Sequence, residues 1–160
     1  MIRQATVQDI PEILRIYEAA RAFMRRSGNM TQWSGGYPPE DIIRADITKN
    51  ILWVMENETG HLYAVFALVP GEDPSYAKID GAWRDSSPYA AMHRAGSDGT
   101  EHGVFRAMLD FARTRYNHLR VDTHADNHPM QHGFLTNGFV YCGIVRVWDG
   151  TPRCAYEWSM

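Results

Sequence analysis

Apolar side chains recur at intervals of three and four residues over residues 10–24, which is the spacing of one helical face. Just before this run, Thr6 and Asp9 have the separation of a capping box, so the helix is expected to begin close to them. Residues 2–5 before the box have the pattern of a short strand. The N-terminal segment therefore predicts a strand and an amphipathic helix, which Gly28-Asn29 would end.

The rest of the chain alternates between strand-like and helix-like segments. They are a helix over 39–49, strands over 51–56, 62–69 and 89–94, a helix over 104–115, a strand over 119–123, a helix over 127–136, and strands over 139–148 and 153–158. Residues 70–88 form a long connection in which 76–79 could add a strand. Asp149-Gly150 predicts a two-residue hairpin turn that places Cys154 opposite Val145. This order predicts a mixed α/β domain built on one sheet.

Composition narrows the classes of protein that the chain could be. Its 160 residues suit one domain, and a net charge of -3 argues against a large nucleic-acid surface. No apolar stretch has the length of a membrane span, and the N-terminus lacks an apolar signal segment. The two cysteines, Cys142 and Cys154, do not have the spacing of a metal-binding pair. A cytoplasmic protein with no membrane or nucleic-acid partner is expected.

A glycine-rich turn between a strand and a helix is the first candidate for chemistry. Gly96, Gly99 and Gly103 fall within eight residues, directly before the helix predicted from Val104. Glycine allows a close backbone approach, and unpaired N–H groups at a helix start can hold a pyrophosphate. A turn that needs glycine for its geometry alone explains the segment equally well. It matches neither a dinucleotide-binding fingerprint nor a Walker loop.

The order of elements resembles the GNAT acetyltransferase family across the whole chain. The opening at residues 2–11 and the Asn137-Gly138-Phe139 helix end are similar to that family. Residues 122–131, with 141–144 and 149–153, resemble a bacterial subgroup of it. The resemblance implies one α/β (α+β) domain over residues 1–160, with a mixed central sheet of about six to seven strands and four flanking helices. It also implies acetyl-CoA as cofactor and acyl transfer by direct attack of an amine.

The resemblance also implies where the cofactor binds. Only Gly103 matches the glycine motif of the family, and Thr100 stands where the family has Gln or Arg. Backbone amides would therefore hold the pyrophosphate, while the oxyanion donor would lie near Arg94 or Ala95. The implied cofactor-binding residues are Arg94, Ala95, Gly99, Thr100, Glu101, His102, Gly103, Val104 and Asn127.

Three side chains are candidates for proton transfer. His93 lies on the strand before the glycine turn and, as a histidine, is a candidate base, although a histidine hydrogen-bonded within the sheet explains it as well. His124 could relay a proton or fix a turn, and Tyr141 is either a phenol of the site or core. Phe134 occupies the position where the family often has a proton-donating tyrosine.

The acceptor is expected to be an amine of a small molecule or peptide, which four aromatic residues could enclose. These are Trp33, Tyr37, Trp83 and Tyr89, each of which could instead cover the sheet. Aromatic residues in the last hairpin permit a homodimer without requiring one.

A metal site is not expected, because the residues that suggest one are loosely spaced. They are His124, Asp126, His128 and His132, and a solvated helix start explains them better. The leading hypothesis is an N-acetyltransferase that uses acetyl-CoA. One alternative keeps the fold but changes the acyl donor or the acceptor atom. Another is a non-catalytic module that binds coenzyme A or a protein, which Thr100 and Phe134 favour.

Overall fold

Eight strands form one sheet in the computed structural model, which describes residues 1–160. The strands are β1 (Ile2–Gln4), β2 (Leu52–Glu56), β3 (Leu62–Pro70), β4 (Asp80–Gly81), β5 (Ala90–Ser97), β6 (His118–Thr123), β7 (Val140–Arg146) and β8 (Pro152–Ser159). The helices are α1 (Ile10–Arg26), α2 (Glu40–Thr48), α3 (Val104–Arg113) and α4 (His128–Thr136). The order across the sheet is β1-β2-β3-β5-β6-β8-β7-β4. The mixed fold with four helices is confirmed, with one or two strands more than expected.

The chain divides into two compact units. The first comprises residues 1–68 and 93–104, and it contains β1, β2, α1 and α2. The second comprises residues 69–92 and 105–160, and it contains β4, β6, β7, β8, α4 and all of α3 except Val104. Strands β3 and β5 each contribute residues to both units. The predicted single domain over residues 1–160 stays a prediction.

The N-terminus of α1 forms as its sequence predicts. The Asp9 carboxylate accepts hydrogen bonds from the Thr6 backbone N–H at 2.8 Å and from the Arg3 guanidinium at 2.8 and 3.0 Å. A short 3₁₀ turn over Val7–Asp9 precedes the helix. Along α1, the periodic apolar side chains include Ile13 and Ile16, which are completely buried. The predicted amphipathic helix is confirmed, since most of its apolar stripe is buried, although Phe23, which the spacing also places on that face, is 52% exposed.

The additional strand β4 lies at the edge of the sheet and pairs with β7 through two glycines. Gly81 has φ 131° and Gly143 has φ 145°, and they are paired in the register. A Cβ atom on Gly81 would lie 2.2 Å from the Cys142 carbonyl oxygen, so only glycine allows this approach. The strand predicted over residues 76–79 is wrong, because Pro74–Tyr76 forms a 3₁₀ turn capped by Asp73.

The hairpin of β7 and β8 has a different register from the predicted one. Val145 pairs with Arg153, and Cys154 pairs with Ile144. The two-residue turn is wrong, because the Val147 N–H donates to the Thr151 carbonyl at 3.1 Å and closes a longer loop. Within this loop, the Asp149 carboxylate accepts from the Thr151 backbone N–H at 3.0 Å. That side-chain bond favours a wider turn than Asp-Gly predicts by itself.

Candidate active site

Strand β5 is kinked at Arg94, which has a φ of 51°. Positive φ is strained for a residue with a long side chain and persists only where the surroundings hold it. The Tyr17 hydroxyl donates to the Arg94 carbonyl at 2.9 Å. The Arg94 guanidinium donates to the Asp46 carboxylate at 2.7 and 2.9 Å. The predicted end of the strand at Arg94 is wrong, since β5 continues beyond the kink to Ser97.

The pairing between β5 and β6 is short. The parallel ladder contains Ala90 with Leu119 and Ala91 with Arg120, and no further pair. Both strands continue for several residues after these pairs, β5 as far as Ser97. From Met92 onward, β5 therefore has an edge that does not pair with β6. Backbone N–H and C=O groups along such an edge can bind an extended ligand.

The turn after β5 is shaped by Asp98, whose side chain is 3% exposed. Its carboxylate accepts from the Thr100 backbone N–H at 3.0 Å and from the Thr100 hydroxyl at 2.6 Å. Arg15 at 3.0 Å and His61 at 2.9 Å also contact it. Burial opposes ionisation, but these hydrogen bonds outweigh it and lower the pKa of Asp98 to about 2. Asp98 is therefore an anchor of the turn, which sequence reasoning missed.

The hydrogen bonds of Asp98 determine which amides of the turn could bind a phosphate. The Thr100 N–H is engaged by Asp98 in this structure, which makes it unsuited to an anionic ligand. The N–H groups of residues 101–104 have no acceptor within the chain and lead directly into α3. Gly103 has φ 67°, and a Cβ atom added there would meet no atom within 4 Å, so glycine serves the backbone conformation. Side chains of Glu101 and His102 are exposed.

Asn127 lies at the start of α4, where its side-chain oxygen accepts from the Met130 N–H at 3.2 Å. The side chain is therefore the N-cap of the helix predicted from residue 127. Asn127 is 6% exposed. Its predicted contact with the cofactor remains a prediction.

The three candidates for proton transfer have different environments. His93 is partly buried on β5, one residue before the kink. The His124 Nδ1 accepts from the Asp126 backbone N–H at 3.1 Å, which stabilises the turn after β6. Tyr141 is 53% exposed on β7, and burial of part of its ring raises its pKa. Within the second unit, Tyr141 packs edge-on against Tyr156, with ring centroids 5.5 Å apart.

Phe134 lies in an aromatic cluster of the second unit and is 3% exposed. Its ring centroid is 5.4 Å from that of Phe105 and 5.0 Å from that of Tyr156. The Tyr156 hydroxyl donates to the Gln131 side chain at 3.3 Å, and burial raises the pKa of Tyr156 to about 12. Tyr156 is thus the phenol next to the position where the family often has tyrosine. Sequence reasoning missed it because β8 is distant in the chain.

The four aromatic candidates for the acceptor site belong to two clusters. Trp33 lies with Tyr37 and Tyr17 in the first unit, at centroid distances of 6.4 and 5.4 Å. Trp83 and Tyr89 lie in the second unit, where they flank the Arg120 guanidinium at 4.0 and 4.2 Å. A cation held between two rings was not predicted from the sequence.

Histidine and acidic residues near α4 do not assemble into a cluster. His124 and Asp126 approach within 3.5 Å, but no group of three His, Cys, Asp or Glu side chains could hold a metal ion. No helix has the length and apolar character of a membrane span.

Comparison with known proteins identifies the family. No family model and no curated protein matches the chain. Among solved structures, an acetyltransferase of the GNAT family from Streptococcus agalactiae is 30% identical, with a TM-score of 0.86 over 100% of this chain and 95% of that one. The chain belongs to the GNAT family of acetyltransferases.

Other acetyltransferase structures share the fold at lower identity. An acetyltransferase from Listeria monocytogenes is 19% identical over 100% of this chain and 94% of that one, with a TM-score of 0.74. An N-acetyltransferase from Staphylococcus aureus is 19% identical over 99% and 97%, with a TM-score of 0.63. The resemblance noted in the sequence is confirmed, and GNAT membership supports acetyltransferase activity in general terms.

Proposed function

We propose that the protein transfers an acetyl group from acetyl-CoA to an amine of a small molecule or peptide. The observation that carries the proposal is the course of β5. The strand kinks at Arg94, does not pair with β6 after Ala91, and leads into the unbonded amides of residues 101–104 at the start of α3. An extended pantetheine arm that ends in a pyrophosphate fits these two adjacent sets of backbone groups.

The residues of the turn suit an anionic group in most respects. The N–H groups of residues 101–104 would hold the pyrophosphate, assisted by the positive end of the α3 dipole. His102 is the one side chain within the turn that can become cationic, whereas Glu101 would oppose an anion. Thr100 contributes indirectly, because it bonds to Asp98 and so maintains the shape of the turn.

The reaction needs a hydrogen-bond donor to the carbonyl oxygen, a base for the amine proton and an acid for the thiolate. Bound acetyl-CoA supplies a thioester, whose C–S bond breaks as the amine nitrogen forms a C–N bond to the carbonyl carbon and the departing thiolate takes up a proton. The Ala95 N–H, next to the kink, is the proposed donor to the carbonyl oxygen. His93 is the proposed base that accepts the amine proton, with His124 as the next candidate. Phe134 has no hydroxyl and cannot donate a proton to the thiolate. The proposed proton donor is therefore Tyr156, Tyr141 or a solvent molecule.

Phe134 also supports a second candidate function, a non-catalytic module that binds coenzyme A. Its buried ring takes the position where the family often has a tyrosine acid, and it has no hydroxyl to donate. Such a module would bind coenzyme A and acetyl-CoA without turnover. The two functions therefore differ in catalysis but agree on the ligand.

A screen of amine acceptors with acetyl-CoA tests the proposed function by measuring the thiol released. Amino acids, polyamines, aminoglycosides and short peptides with a free N-terminus cover the main amine classes. Transfer to at least one class, with a thiol release that depends on acceptor concentration, would support the proposal. Tight binding of acetyl-CoA with no release above the uncatalysed rate for any class would instead support the module.

The phosphate site is tested by Gly103→Glu, with Gly60→Glu as a matched control. Both glycines have positive φ, at 67° and 83°, and open space where a side chain would begin. The two variants thus add the same strain and charge, but only Gly103 adjoins the proposed pyrophosphate. Like charges at an effective dielectric constant near 20 repel by a few kcal/mol, so calorimetry should show coenzyme A binding at least tenfold weaker for Gly103→Glu alone. Equal affinities would show that the turn is purely structural.

A further inference from the structure

The kink in β5 is held by side chains from both helices of the first unit. Tyr17 belongs to α1 and Asp46 to α2, and each bonds to Arg94. One contact is to the Arg94 carbonyl and the other to its guanidinium, so backbone and side chain are restrained separately. A non-glycine residue with positive φ requires such restraint.

The Tyr17 contact determines the orientation of one peptide group. Tyr17 is completely buried, and its hydroxyl donates to the Arg94 carbonyl at 2.9 Å. The Arg94 carbonyl and the Ala95 N–H belong to the same planar trans peptide, in which they point in opposite directions. By holding the carbonyl toward α1, Tyr17 therefore directs the Ala95 N–H away from α1.

The Asp46 contact restrains the side chain of Arg94, the residue that contributes the carbonyl of that peptide. The Asp46 carboxylate accepts from both Nε and Nη2 of Arg94, and the two side chains are 5% and 17% exposed. A bidentate pair of planar groups restricts rotation as well as distance. Arg94 is therefore restrained at its side chain while Tyr17 restrains its carbonyl, and the peptide cannot rotate without breaking a partly buried hydrogen bond.

We propose that Tyr17 and Asp46 are positioning residues, which hold the peptide of Arg94 and Ala95 so that the Ala95 N–H points at the thioester carbonyl. This inference rests on the proposed function. Neither side chain needs to contact the substrate. Each acts through Arg94, and together they maintain a donor direction that an ordinary extended strand would not provide.

Tyr17→Phe tests the inference, because it keeps the buried ring and removes only the hydroxyl. The infrared stretching frequency of acetyl-CoA labelled with ¹³C at the carbonyl reports how strongly that carbonyl is polarised. Bound to the wild-type protein, the carbonyl should absorb at a lower frequency than in solution. In Tyr17→Phe it should return toward the solution value, with kcat about tenfold lower, KM for acetyl-CoA within twofold, and affinity for coenzyme A unchanged. Loss of a whole oxyanion donor typically lowers kcat by about 10²–10³, so a misdirected donor should lower it less.

Tyr76→Phe is the matched control. Tyr76 is 2% exposed in the second unit, and its hydroxyl donates to Asp122 at 2.5 Å, so the substitution also removes one buried phenol bond. It should decrease the melting temperature about as much as Tyr17→Phe does, without moving the carbonyl frequency. Asp46→Asn, which weakens the bond to Arg94, should move that frequency in the same direction as Tyr17→Phe.

The outcomes separate the inference from the function on which it rests. Wild-type protein that does not bind acetyl-CoA at all overturns the proposed function, and the inference with it. A wild-type carbonyl shift that Tyr17→Phe leaves unchanged overturns the inference alone. Equal frequency changes in Tyr17→Phe and Tyr76→Phe also overturn it, since a general loss of rigidity would then explain both.

Discussion

Two arginines, Arg94 on β5, which is partly buried, and Arg120 on β6, which is buried, are held in different ways. The Arg94 guanidinium makes two short hydrogen bonds to one carboxylate. The Arg120 guanidinium lies 4.0 Å from the centre of the Trp83 ring, while its nearest contact with the Glu157 carboxylate is 3.6 Å. Hydrogen bonds to a carboxylate determine an orientation, whereas an aromatic face holds a cation over a broader area. Arg94 is therefore held in one backbone conformation, whereas Arg120 attaches the long connection between β3 and β5 to the sheet.

The surroundings of Arg120 show what that attachment does. Its Nη2 donates to the Asp85 carbonyl at 2.8 Å, within the long connection between β3 and β5. Glu157 is 2% exposed and is engaged mainly by His118 at 2.8 Å and by the Arg84 N–H. Around Arg120, residues 70–89 are thus held on the sheet by many contacts, none of which dominates. Around Arg94, two directed hydrogen bonds hold a single strained residue.

The largest effect is expected for Asp46→Ala, which leaves the partly buried Arg94 guanidinium without its carboxylate. Removing one partner of a buried pair typically destabilises by about 3–5 kcal/mol. Urea unfolding should show a loss of that size. Glu40→Ala is the control, because its pair with Arg44 is 51% and 55% exposed and should contribute about 0.3–0.5 kcal/mol. Similar losses for both variants would remove the distinction drawn for Arg94.

A smaller loss of stability is expected for Trp83→Ala, because Arg120 keeps its contacts with Tyr89 and Asp85. Trp83 is only partly buried, so the free energy of unfolding should decrease by about 2–3 kcal/mol, or roughly 4–12 °C in Tm for a chain of this size. Limited proteolysis should then cleave within residues 70–89, while Trp83→Phe should remain resistant. Unchanged proteolysis in Trp83→Ala would show that Arg120 does not depend on the ring for holding the loop.

The sequence Asp-Gly-Thr occurs twice, at residues 98–100 and 149–151. The two copies allow the pH dependence of stability to be compared at a buried and an exposed carboxylate. In both, the carboxylate accepts from the Thr backbone N–H at 3.0 Å, but only Asp98 is buried beside Arg15. The pKa of Asp98, about 2, lies below the unfolded value of about 3.9. Its contribution is therefore present above pH 4 and is lost as the pH falls toward 2. Asp98→Asn should lower the free energy of unfolding at pH 7 by at most about 2.6 kcal/mol, which is what this difference in pKa represents, and should flatten the profile between pH 4 and 2.

Asp149→Asn is the control for this pH effect, since its carboxylate is exposed to solvent. Its profile between pH 4 and 2 should stay close to that of the wild-type protein. A profile for Asp98→Asn as steep as the wild-type one would show that other carboxylates cause the acid sensitivity.

The smallest effect is expected for Thr100→Ala, which removes the hydroxyl bond to Asp98 and no contact with a ligand. The loss of one such bond is worth about 0.5–1.5 kcal/mol of stability. Coenzyme A affinity, measured by calorimetry, should stay within about twofold. A tenfold weaker affinity with unchanged stability would instead place the Thr100 hydroxyl on the phosphate.

Most secondary structure could be predicted because it depends on local patterns. The stripe of α1, the cap at Asn127 and the sequence Asn137-Gly138 after α4 are readable within a few residues, and each lies where predicted. The hairpin register could not be read in this way. It depends on the Asp149 side chain and on a β-bulge between Tyr141 and Gly143.

The candidate site was predicted less completely than the fold. The glycine turn was found by its composition, but its anchor, Asp98, depends on Arg15 and His61, which lie 83 and 37 residues away. The aromatic residues were found as a group, yet the structure divides them between two clusters. Contacts between residues far apart in the chain produce no periodic pattern in the sequence. Composition therefore indicated the type of site, but not how its residues are arranged.

The sequence by itself determined the order of elements, the family resemblance and the position of the glycine turn, because all three depend on residues close together in the chain. The tertiary structure alone decided that Arg94 has positive φ, since nothing in its neighbours predicts that conformation. Tyr17 and Asp46 lie 77 and 48 residues from Arg94. A strained backbone conformation is stable only when such distant groups are brought together by folding, and the direction of the neighbouring N–H follows from them.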